Sequence, residues 1–275
     1  MTNFNNLQTE SINKNTANID KMSAIEIVKC INDEDKTVAF AVEKALPEIA
    51  VCVDILADAL KNSGRIFYVG AGTSGRLGVL DASECPPTFG VSSDVVQGVL
   101  AGGPTAAYNS IEDAEDDFES IVKQLKEKNF YGKDVLIAIS ASGSANCVKG
   151  AINYAKQLGC QTMCVSCNKN SDLISMCENA IIAEVGPEVI NGSTRMKAGT
   201  AQKMILNMLS TGAMIRFGRV RGNYMAYMIP SNIKLVDRAI RIIMAKTGVS
   251  YEKAEFELDI ANNVIADAID NIENI

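Results

Sequence analysis

Five short apolar runs in the middle of the sequence restrict its fold more than any other feature. They are rich in β-branched residues and occupy residues 65–69, 95–100, 135–139, 162–166 and 180–185. Most are separated by stretches with helical spacing of apolar residues, an alternation typical of strand–helix–strand units. A parallel strand needs a long crossover connection, which a helix provides. The order therefore predicts an α/β fold, with a five-stranded parallel sheet and helices on both faces.

Helical segments flank this region. Residues 37–62 carry apolar side chains at helical spacing and are followed by Gly64, which predicts one long helix. Residues 196–217 predict a second helix, apolar around much of its circumference, which must be central or pressed against another subunit. Residues 1–20 are rich in Asn and Thr and have little to bury. We expect a tail and helix at 1–45, the α/β domain at 46–230 and a small acidic helical appendage at 231–275.

The composition excludes several classes of function. The 275 residues include no histidine, which removes Ser-His-Asp triads and HExxH zinc sites. The formal charge is −7, and residues 251–275 supply seven acids against one lysine, so the rest of the chain carries only −1. Nucleic acid is therefore not an expected partner. No apolar run approaches the roughly 18 residues of a membrane span, and the polar start at 1–6 does not resemble a leader, so we expect a cytoplasmic protein with no membrane partner.

The eight cysteines do not predict a metal or redox site. Most lie inside apolar segments, where a free thiol behaves as a small hydrophobe in a reducing compartment. Cys164 and Cys167 form a single CxxC motif, whereas a zinc ribbon needs a second pair and a thioredoxin-like motif opens a helix. We expect no metal.

A glycine-rich loop follows the first predicted strand. Residues 70–75 (GAGTSG) satisfy the GxGxxG pattern of dinucleotide-binding folds. That interpretation requires an acidic residue at the end of the second strand to hold the ribose, but the second strand ends LAGG at 100–103. A phosphate is the better ligand for this loop, with Gly72, Thr73 and Ser74 as the candidate contacts.

Two further clusters have related chemistry. The third strand ends in residues 140–144 (SASGS), which again open a helix and offer Ser140, Ser142 and Ser144 to an anion. Residues 191–197 (NGSTRMK) precede the helix at 196–217 and contribute Ser193, Arg195 and Lys197. Cations in a first helical turn are disfavoured by the helix dipole, and a bound anion would explain them. Any single Ser or Thr here is equally well explained as a helix cap.

Two carboxylates stand out as candidate acid and base. Glu84 lies in residues 81–87 (DASECPP), where two prolines predict a fixed turn close to the first loop. Glu115 belongs to an acidic run, and on a helix it would fall at the edge of an apolar arc beside Val122. Partial burial would raise the pKa of its carboxyl toward a range useful for proton transfer.

Four blocks of this sequence resemble the N-acetylmuramic acid 6-phosphate etherase family. They are residues 31–35 (INDED), 70–78 (GAGTSGRLG), 81–87 (DASECPP) and 192–203 (GSTRMKAGTAQK). The resemblance implies a sugar isomerase (SIS) domain, a flavodoxin-like fold that binds phosphosugars, in a homodimer without a cofactor. This sequence departs from the family at Ser144 and Ala145, where many relatives carry Arg and Thr. Family members also continue through further C-terminal helix, so either a shortened appendage or a truncated chain is expected.

The resemblance also implies a reaction, in bacterial cell-wall recycling. The family releases D-lactate from N-acetylmuramic acid 6-phosphate and leaves N-acetylglucosamine 6-phosphate. Glu84 matches the acid at the lactyl oxygen, and Glu115 matches the base at C2; the residues alone do not assign which does which. A phosphosugar isomerase, a non-catalytic phosphosugar sensor and a dehydrogenase remain alternatives from other classes.

Overall fold

A parallel five-stranded sheet forms the centre of the computed structural model. The structure describes residues 7–273, apart from the side chain of Glu112; the polar start at 1–6 lies outside this range. The strands are β1 (Ile66–Gly70), β2 (Val96–Leu100), β3 (Val135–Ile139), β4 (Gln161–Ser166) and β5 (Asn179–Ile182). Their order is β2-β1-β3-β4-β5, the flavodoxin-like order, with every pair parallel. The predicted fold class is confirmed.

The fifth strand ends three residues earlier than the sequence predicts. Its last partner in β4 is Ser166, which pairs with Ile182 and then accepts a hydrogen bond from the Ala183 N–H. Because β4 ends at Ser166, residues 183–185 have no further neighbour to extend the ladder.

Helices cover both faces of the sheet. They are α1 (Ala24–Glu43), α2 (Leu46–Lys61), α3 (Gly72–Phe89), α4 (Ser120–Glu127), α5 (Asn146–Gln157), α6 (Asp172–Met176), α7 (Lys197–Arg216), α8 (Ile233–Thr247), α9 (Tyr251–Ile260) and α10 (Ile265–Glu273). Successive strand residues alternate between two cores, as Ile66 and Phe67 do. One core includes α1, α2, α3 and α7, and the other includes α4 and α5. None of the helices within residues 7–273 has the length and apolar character to cross a membrane.

Glycine lets α3 lie directly on the first strand. A Cβ atom at Gly75 would stand 2.4 Å from the Gly70 carbonyl oxygen and 2.5 Å from Leu100 Cδ1. The third glycine of the GxGxxG pattern is therefore required for helix–strand packing, whatever the loop binds.

The single helix predicted at 37–62 is wrong. The chain forms α1 and α2, separated by Lys44 and Ala45, with Pro47 in the first turn of α2. Proline donates no backbone hydrogen bond and clashes with the preceding turn, so it suits the start of a helix and not its middle.

The segment before α1 is more firmly attached than its composition suggests. Leu7, Thr9, Asn13 and Thr16 are all buried. Asn168 Nδ2 donates to Thr9 Oγ1 at 3.1 Å, and Thr16 Oγ1 donates to the Val189 carbonyl at 2.8 Å. The expectation that this tail buries little is therefore wrong from Leu7 onward, because its polar side chains pair with the domain.

Most of helix α7 is covered inside one chain, although Ile215 near its end is half exposed. It packs against α1, α2 and α3, and Leu209 at its centre is fully buried. Its apolar circumference therefore does not by itself require a second subunit. The C-terminal helices α8 to α10 form a separate apolar cluster with Met228. The division of the chain at 45/46 and 230/231 stays a prediction.

Candidate functional site

Two of the predicted loops meet at the carboxyl edge of the sheet. They enclose a cavity of about 110 Å³ between the ends of β1 and β3. Its lining residues are Ala71, Gly72, Thr73, Ser74, Glu115, Ile139, Ser140, Ala141, Ser142, Ala145 and Thr194. We call this cavity the inner chamber. It brings together the predicted contacts Gly72, Thr73, Ser74, Ser140 and Ser142 with the candidate base Glu115.

Two hydroxyls of the second loop line this chamber and accept backbone N–H groups. Ser140 Oγ accepts the Gly143 N–H at 3.1 Å, and Ser142 Oγ accepts the Ser144 N–H at 3.2 Å. A hydroxyl that already accepts a backbone N–H keeps its own proton for another partner. Ser144 Oγ does not line the chamber but lies 2.7 Å from Ser142 Oγ. Gly143 is required here, because a Cβ at its φ of +77° would collide with Ser171 Oγ.

Two helix N-termini add a positive potential. Helix α3 begins at Gly72 and α5 begins at Asn146, directly after the chamber residue Ala145. The first backbone N–H groups of a helix have no intrahelical acceptor, and the helix dipole favours an anion beside them. The inner chamber therefore suits a phosphate group.

Glu115 separates the inner chamber from a larger one. The second cavity, of about 320 Å³, shares Ala71, Gly72 and Glu115 with the first. We call it the outer chamber. Glu115 is exposed as a residue, yet the protein on one side of its carboxyl raises its pKa by desolvation, and the Asp116 carboxylate raises it further. A carboxyl with a raised pKa is suited to accept a proton.

Arg76 holds the loop that forms the outer chamber. Its Nε donates to the carbonyls of Ala106 and Ala107 at 3.0 and 3.2 Å, and Nη2 donates to the Asn109 carbonyl at 3.3 Å. This guanidinium fixes the wall that faces Glu115.

The helix that was expected to carry Glu115 is shorter than predicted. Residues Glu112–Glu115 form a 3-10 turn, and α4 begins only at Ser120. Glu115 and Val122 therefore belong to different elements, and the turn carries Glu115 into the chamber wall.

The third cluster is only partly at the site. Thr194 lines the inner chamber, whereas Ser193, Arg195 and Lys197 do not. Arg195 is exposed. The Lys197 ammonium is buried and lies 2.6 Å from Glu34 Oε2 on α1.

Protein carboxylates account for the cation in the first turn of α7. Glu188 is fully buried and accepts the backbone N–H groups of Lys197 and Ala198, both at 2.9 Å. Burial raises the pKa of the Glu188 carboxyl, while these hydrogen bonds and the charge of Lys197 lower it. With Glu188 and Glu34 beside it, the Lys197 side chain needs no external anion.

Glu84 does not lie in a turn. Helix α3 continues through Pro86 and Pro87 to Phe89, so Glu84 is an exposed helical residue. It stands ten residues beyond Ser74, which at 1.5 Å per residue is about 15 Å along the helix. The structure therefore does not bring Glu84 and Glu115 together within one chain.

No metal cluster is evident in the described part of the chain. Residues 7–273 contain no group of three or more Cys, Asp or Glu side chains placed to hold an ion. Cys164 and Cys167 are both free and buried, and burial raises the pKa of Cys167 to about 12.

Close relatives of known family cover almost all of this chain. An N-acetylmuramic acid 6-phosphate etherase of Clostridium beijerinckii is 52% identical over 252 residues, which cover 92% of this chain and 83% of the relative. Enzymes of the same name from Clostridium botulinum strain Okra and Yersinia pestis strain Pestoides F are each 50% identical, and the alignments cover 97% and 92% of this chain and 91% and 85% of those relatives. The chain belongs to the N-acetylmuramic acid 6-phosphate etherase family.

Domain models and solved structures place this etherase family chain among SIS folds. Residues 48–156 match the N-terminal SIS domain of glucokinase regulatory protein, and residues 110–212 match the SIS domain. A phosphoheptose isomerase from Neisseria gonorrhoeae superposes with a TM-score of 0.52 at 18% identity, covering 70% of this chain and 98% of the isomerase. The enzyme of Francisella tularensis gives 0.53 at 16% identity, covering 70% and 98%. At this identity the likeness shows the shared fold.

Two residues of this etherase family chain lie at the site but are not among the contacts that the sequence predicts. Thr194 lines the inner chamber, and Gln202 lies behind it with its Oε1 accepting from Ser74 Oγ at 3.0 Å. Thr194 sits inside the cluster at 191–197, so its position next to Ser193 was the available signal. Gln202 lies in the block at 192–203 that resembles the family, but nothing in its residue type or spacing marks it as a neighbour of Ser74.

Proposed function

We propose that this chain cleaves the D-lactyl ether of N-acetylmuramic acid 6-phosphate, giving N-acetylglucosamine 6-phosphate and D-lactate without a cofactor. The observation that carries the proposal is the inner chamber, where serine hydroxyls and two helix N-termini surround a space beside a carboxyl of raised pKa. Membership of the etherase family supports the choice of substrate.

The two chambers suggest how the substrate lies. The phosphate would occupy the inner chamber and accept hydrogen bonds from Ser74, Ser140 and Ser142. The sugar chain would then pass Glu115 into the outer chamber, where there is about 320 Å³ of space. This orientation brings the reacting carbons to the wall shared by the two chambers.

The reaction follows from the acidity of C2–H in the open-chain sugar, next to the C1 aldehyde. Glu115 takes this proton, and the C–H electron pair forms a C2=C3 double bond while the C3–O bond breaks. A carboxylic acid, assigned to Glu84, protonates the departing lactate oxygen. Water then adds at C3 and a proton returns to C2, which restores a saturated sugar.

A homodimer would complete this site. Glu84 is exposed about 15 Å along α3 from Ser74, so it can serve the pocket of a partner better than its own. Large apolar side chains are also exposed on α1, α2, α3 and α7, which cover the same face of the sheet: Ile25, Val28, Phe40, Leu46, Val51, Leu80 and Ile215. Leu80 lies one turn before Glu84, which suits an interface that carries Glu84 into a neighbouring chain.

A phosphosugar isomerase is the second candidate. It is favoured by the fact that Glu115 is the one ionisable residue among those lining the inner chamber, since isomerisation needs a single base. D-lactate release separates the two reactions.

We also place the reaction in the bacterial cytoplasm, where free cysteines persist in the reduced state.

The deciding experiment incubates the purified chain with N-acetylmuramic acid 6-phosphate and measures D-lactate. We expect Glu115→Gln and Glu84→Gln each to lower kcat by at least roughly a hundredfold. Glu127→Gln, at an exposed position at the end of α4, is the matched control and should keep full activity. Phosphosugar isomerisation without D-lactate would replace the etherase assignment, and tight binding without turnover would indicate a sensor.

A further inference from the structure

We propose that Gln202 is a positioning residue that controls which way the Ser74 hydroxyl points its proton. The inference rests on the proposed function, because it assumes that Ser74 contacts the substrate phosphate. It assigns a role to a side chain that lies outside the chamber lining and acts only through Ser74.

Gln202 is buried directly behind the first loop. It is 1% exposed on α7, and its Oε1 accepts from Ser74 Oγ at 3.0 Å. One turn earlier, α7 approaches the same loop so closely that a Cβ at Gly199 would stand 3.4 Å from Thr73 Cγ2. Gln202 is therefore held against the loop that opens α3.

The other end of this amide has no partner. Gln202 Nε2 is buried and makes no hydrogen bond within the described part of the chain. A 180° rotation about the terminal torsion exchanges Oε1 and Nε2. Among residues 7–273, Ser74 is then the one hydrogen-bond partner that distinguishes the two orientations, so a change at Ser74 can turn the amide.

A bound anion requires the amide orientation opposite to the one in the structure. With Oε1 facing Ser74, the hydroxyl proton is used by the amide, and only oxygen lone pairs remain for the chamber. With Nε2 facing Ser74, the amide donates to Ser74 Oγ and the hydroxyl proton is free for phosphate. Ser140 already has this second arrangement, because its Oγ accepts the Gly143 N–H. Gln202 gives Ser74 the same polarity when the phosphate arrives.

A double-mutant cycle with Ser74 tests this role. The ligands are N-acetylglucosamine 6-phosphate and unphosphorylated N-acetylglucosamine, and the readout is the dissociation constant from calorimetry. Gln202→Met removes the amide at similar size, and we expect roughly tenfold weaker binding of the phosphorylated sugar, on the scale of a hydrogen bond to a charged group. Binding of the unphosphorylated sugar should change by less than about twofold. In a Ser74→Ala background, Gln202→Met should change the dissociation constant of the phosphorylated sugar by less than about twofold.

Matched variants keep the test decisive. Gln97→Met alters another buried glutamine, which lies on the edge strand β2 and accepts a hydrogen bond from Lys128. This variant should leave the preference for the phosphorylated sugar unchanged. If Gln202→Met does not fold, Gln202→Asn withdraws the amide from Ser74 by one methylene and should show the same loss. Equal losses for both sugars, or the same loss with and without the Ser74 hydroxyl, would overturn the positioning role.

The Ser74→Ala variant separates this inference from the function it rests on. A selective loss of phosphosugar affinity in Ser74→Ala, followed by an additive effect of Gln202→Met, rejects the role of Gln202 and leaves the phosphate site intact. An equal loss for both sugars in Ser74→Ala rejects Ser74 as a phosphate ligand and rejects both proposals.

Discussion

Glu115 owes its raised pKa to two causes that substitution can separate. Desolvation is the larger, and the neighbouring Asp116 carboxylate adds like-charge repulsion. A general base must be ionised, so kcat/KM falls as the pH drops through its pKa. Asp116→Asn removes the repulsion and lowers that pKa, and we expect the acidic limb of the pH profile to move to lower pH.

The matched control for this pH shift is Asp117→Asn. Asp117 caps the following turn by accepting the Glu119 N–H, and its charge is not among the causes of the Glu115 shift. Its acidic limb should stay in place. An Asp116→Asn profile that coincides with the unmodified enzyme would show that the limb belongs to another group.

Ser142 offers a second prediction at the scale of one residue. Its oxygen accepts the Ser144 N–H and lies 2.7 Å from Ser144 Oγ. When Ser144 is the donor between the two hydroxyls, the Ser142 proton is free for the phosphate. We expect Ser142→Ala to weaken the phosphorylated sugar roughly tenfold and the unphosphorylated sugar by much less, on the scale of a charge-assisted hydrogen bond. Ser83→Ala, at an exposed serine on α3 that donates to the Leu80 carbonyl, is the control. Equal weakening of both sugars would make Ser142 a structural cap.

Which candidate residues could be found from the sequence depends on what positions them. Ser74, Ser140 and Ser142 follow strands of one parallel sheet, so their meeting at one edge follows from topology alone. The charge of Lys197 near a helix start predicts a bound anion, but its partner Glu34 lies 163 residues away on α1. No local pattern reveals an ion pair at that separation.

Among the helices, the prolines also show that a local sequence pattern does not determine where a helix ends. Pro47 lies in the first turn of α2, so the predicted helix at 37–62 is divided just before it. Pro86 and Pro87, in contrast, lie within the last turn of α3 and do not end the helix. Near a helix end the carbonyls left without donors can be reached by water, so two prolines are tolerated there. The sequence shows where prolines occur but not how much helix remains beyond them, and Glu84 was misplaced for that reason.

The pairing of Lys197 with Glu34 joins α1 to the start of α7. Both side chains are largely removed from water, and the loss of one partner leaves the other charge buried. We expect Lys197→Met to lower the free energy of unfolding by about 3 kcal/mol, measured by chemical denaturation. Lys203→Met, at an exposed position on the same helix, should change it by less than about 0.5 kcal/mol.

The same variant decides between two roles for Lys197. If the ion pair is its whole role, a folded Lys197→Met protein should bind phosphorylated and unphosphorylated sugars in the same ratio as the unmodified chain. A selective loss of the phosphorylated sugar, with the free energy of unfolding unchanged, would restore Lys197 to the phosphate site predicted from the sequence.

For the whole molecule, the distance between the two carboxylates is the decisive feature. Glu115 lines the inner chamber of its own chain, while Glu84 is exposed far along α3. In a dimer with shared sites, each pocket would combine Glu115 of one chain with Glu84 of the other. A purified heterodimer of one Glu84→Gln chain and one Glu115→Gln chain then has one intact pocket, and we expect about half the D-lactate activity of the unmodified dimer.

The reciprocal heterodimer gives the opposite result and serves as the control. It pairs an unmodified chain with a Glu84→Gln/Glu115→Gln chain, so each shared pocket lacks one carboxylate and the activity should be lost. If both carboxylates acted within one chain, this heterodimer would keep about half the activity and the first would have none, because a twofold dimer contains two identical sites. Light scattering provides the accompanying mass, and an active species of 29.4 kDa would exclude shared sites altogether.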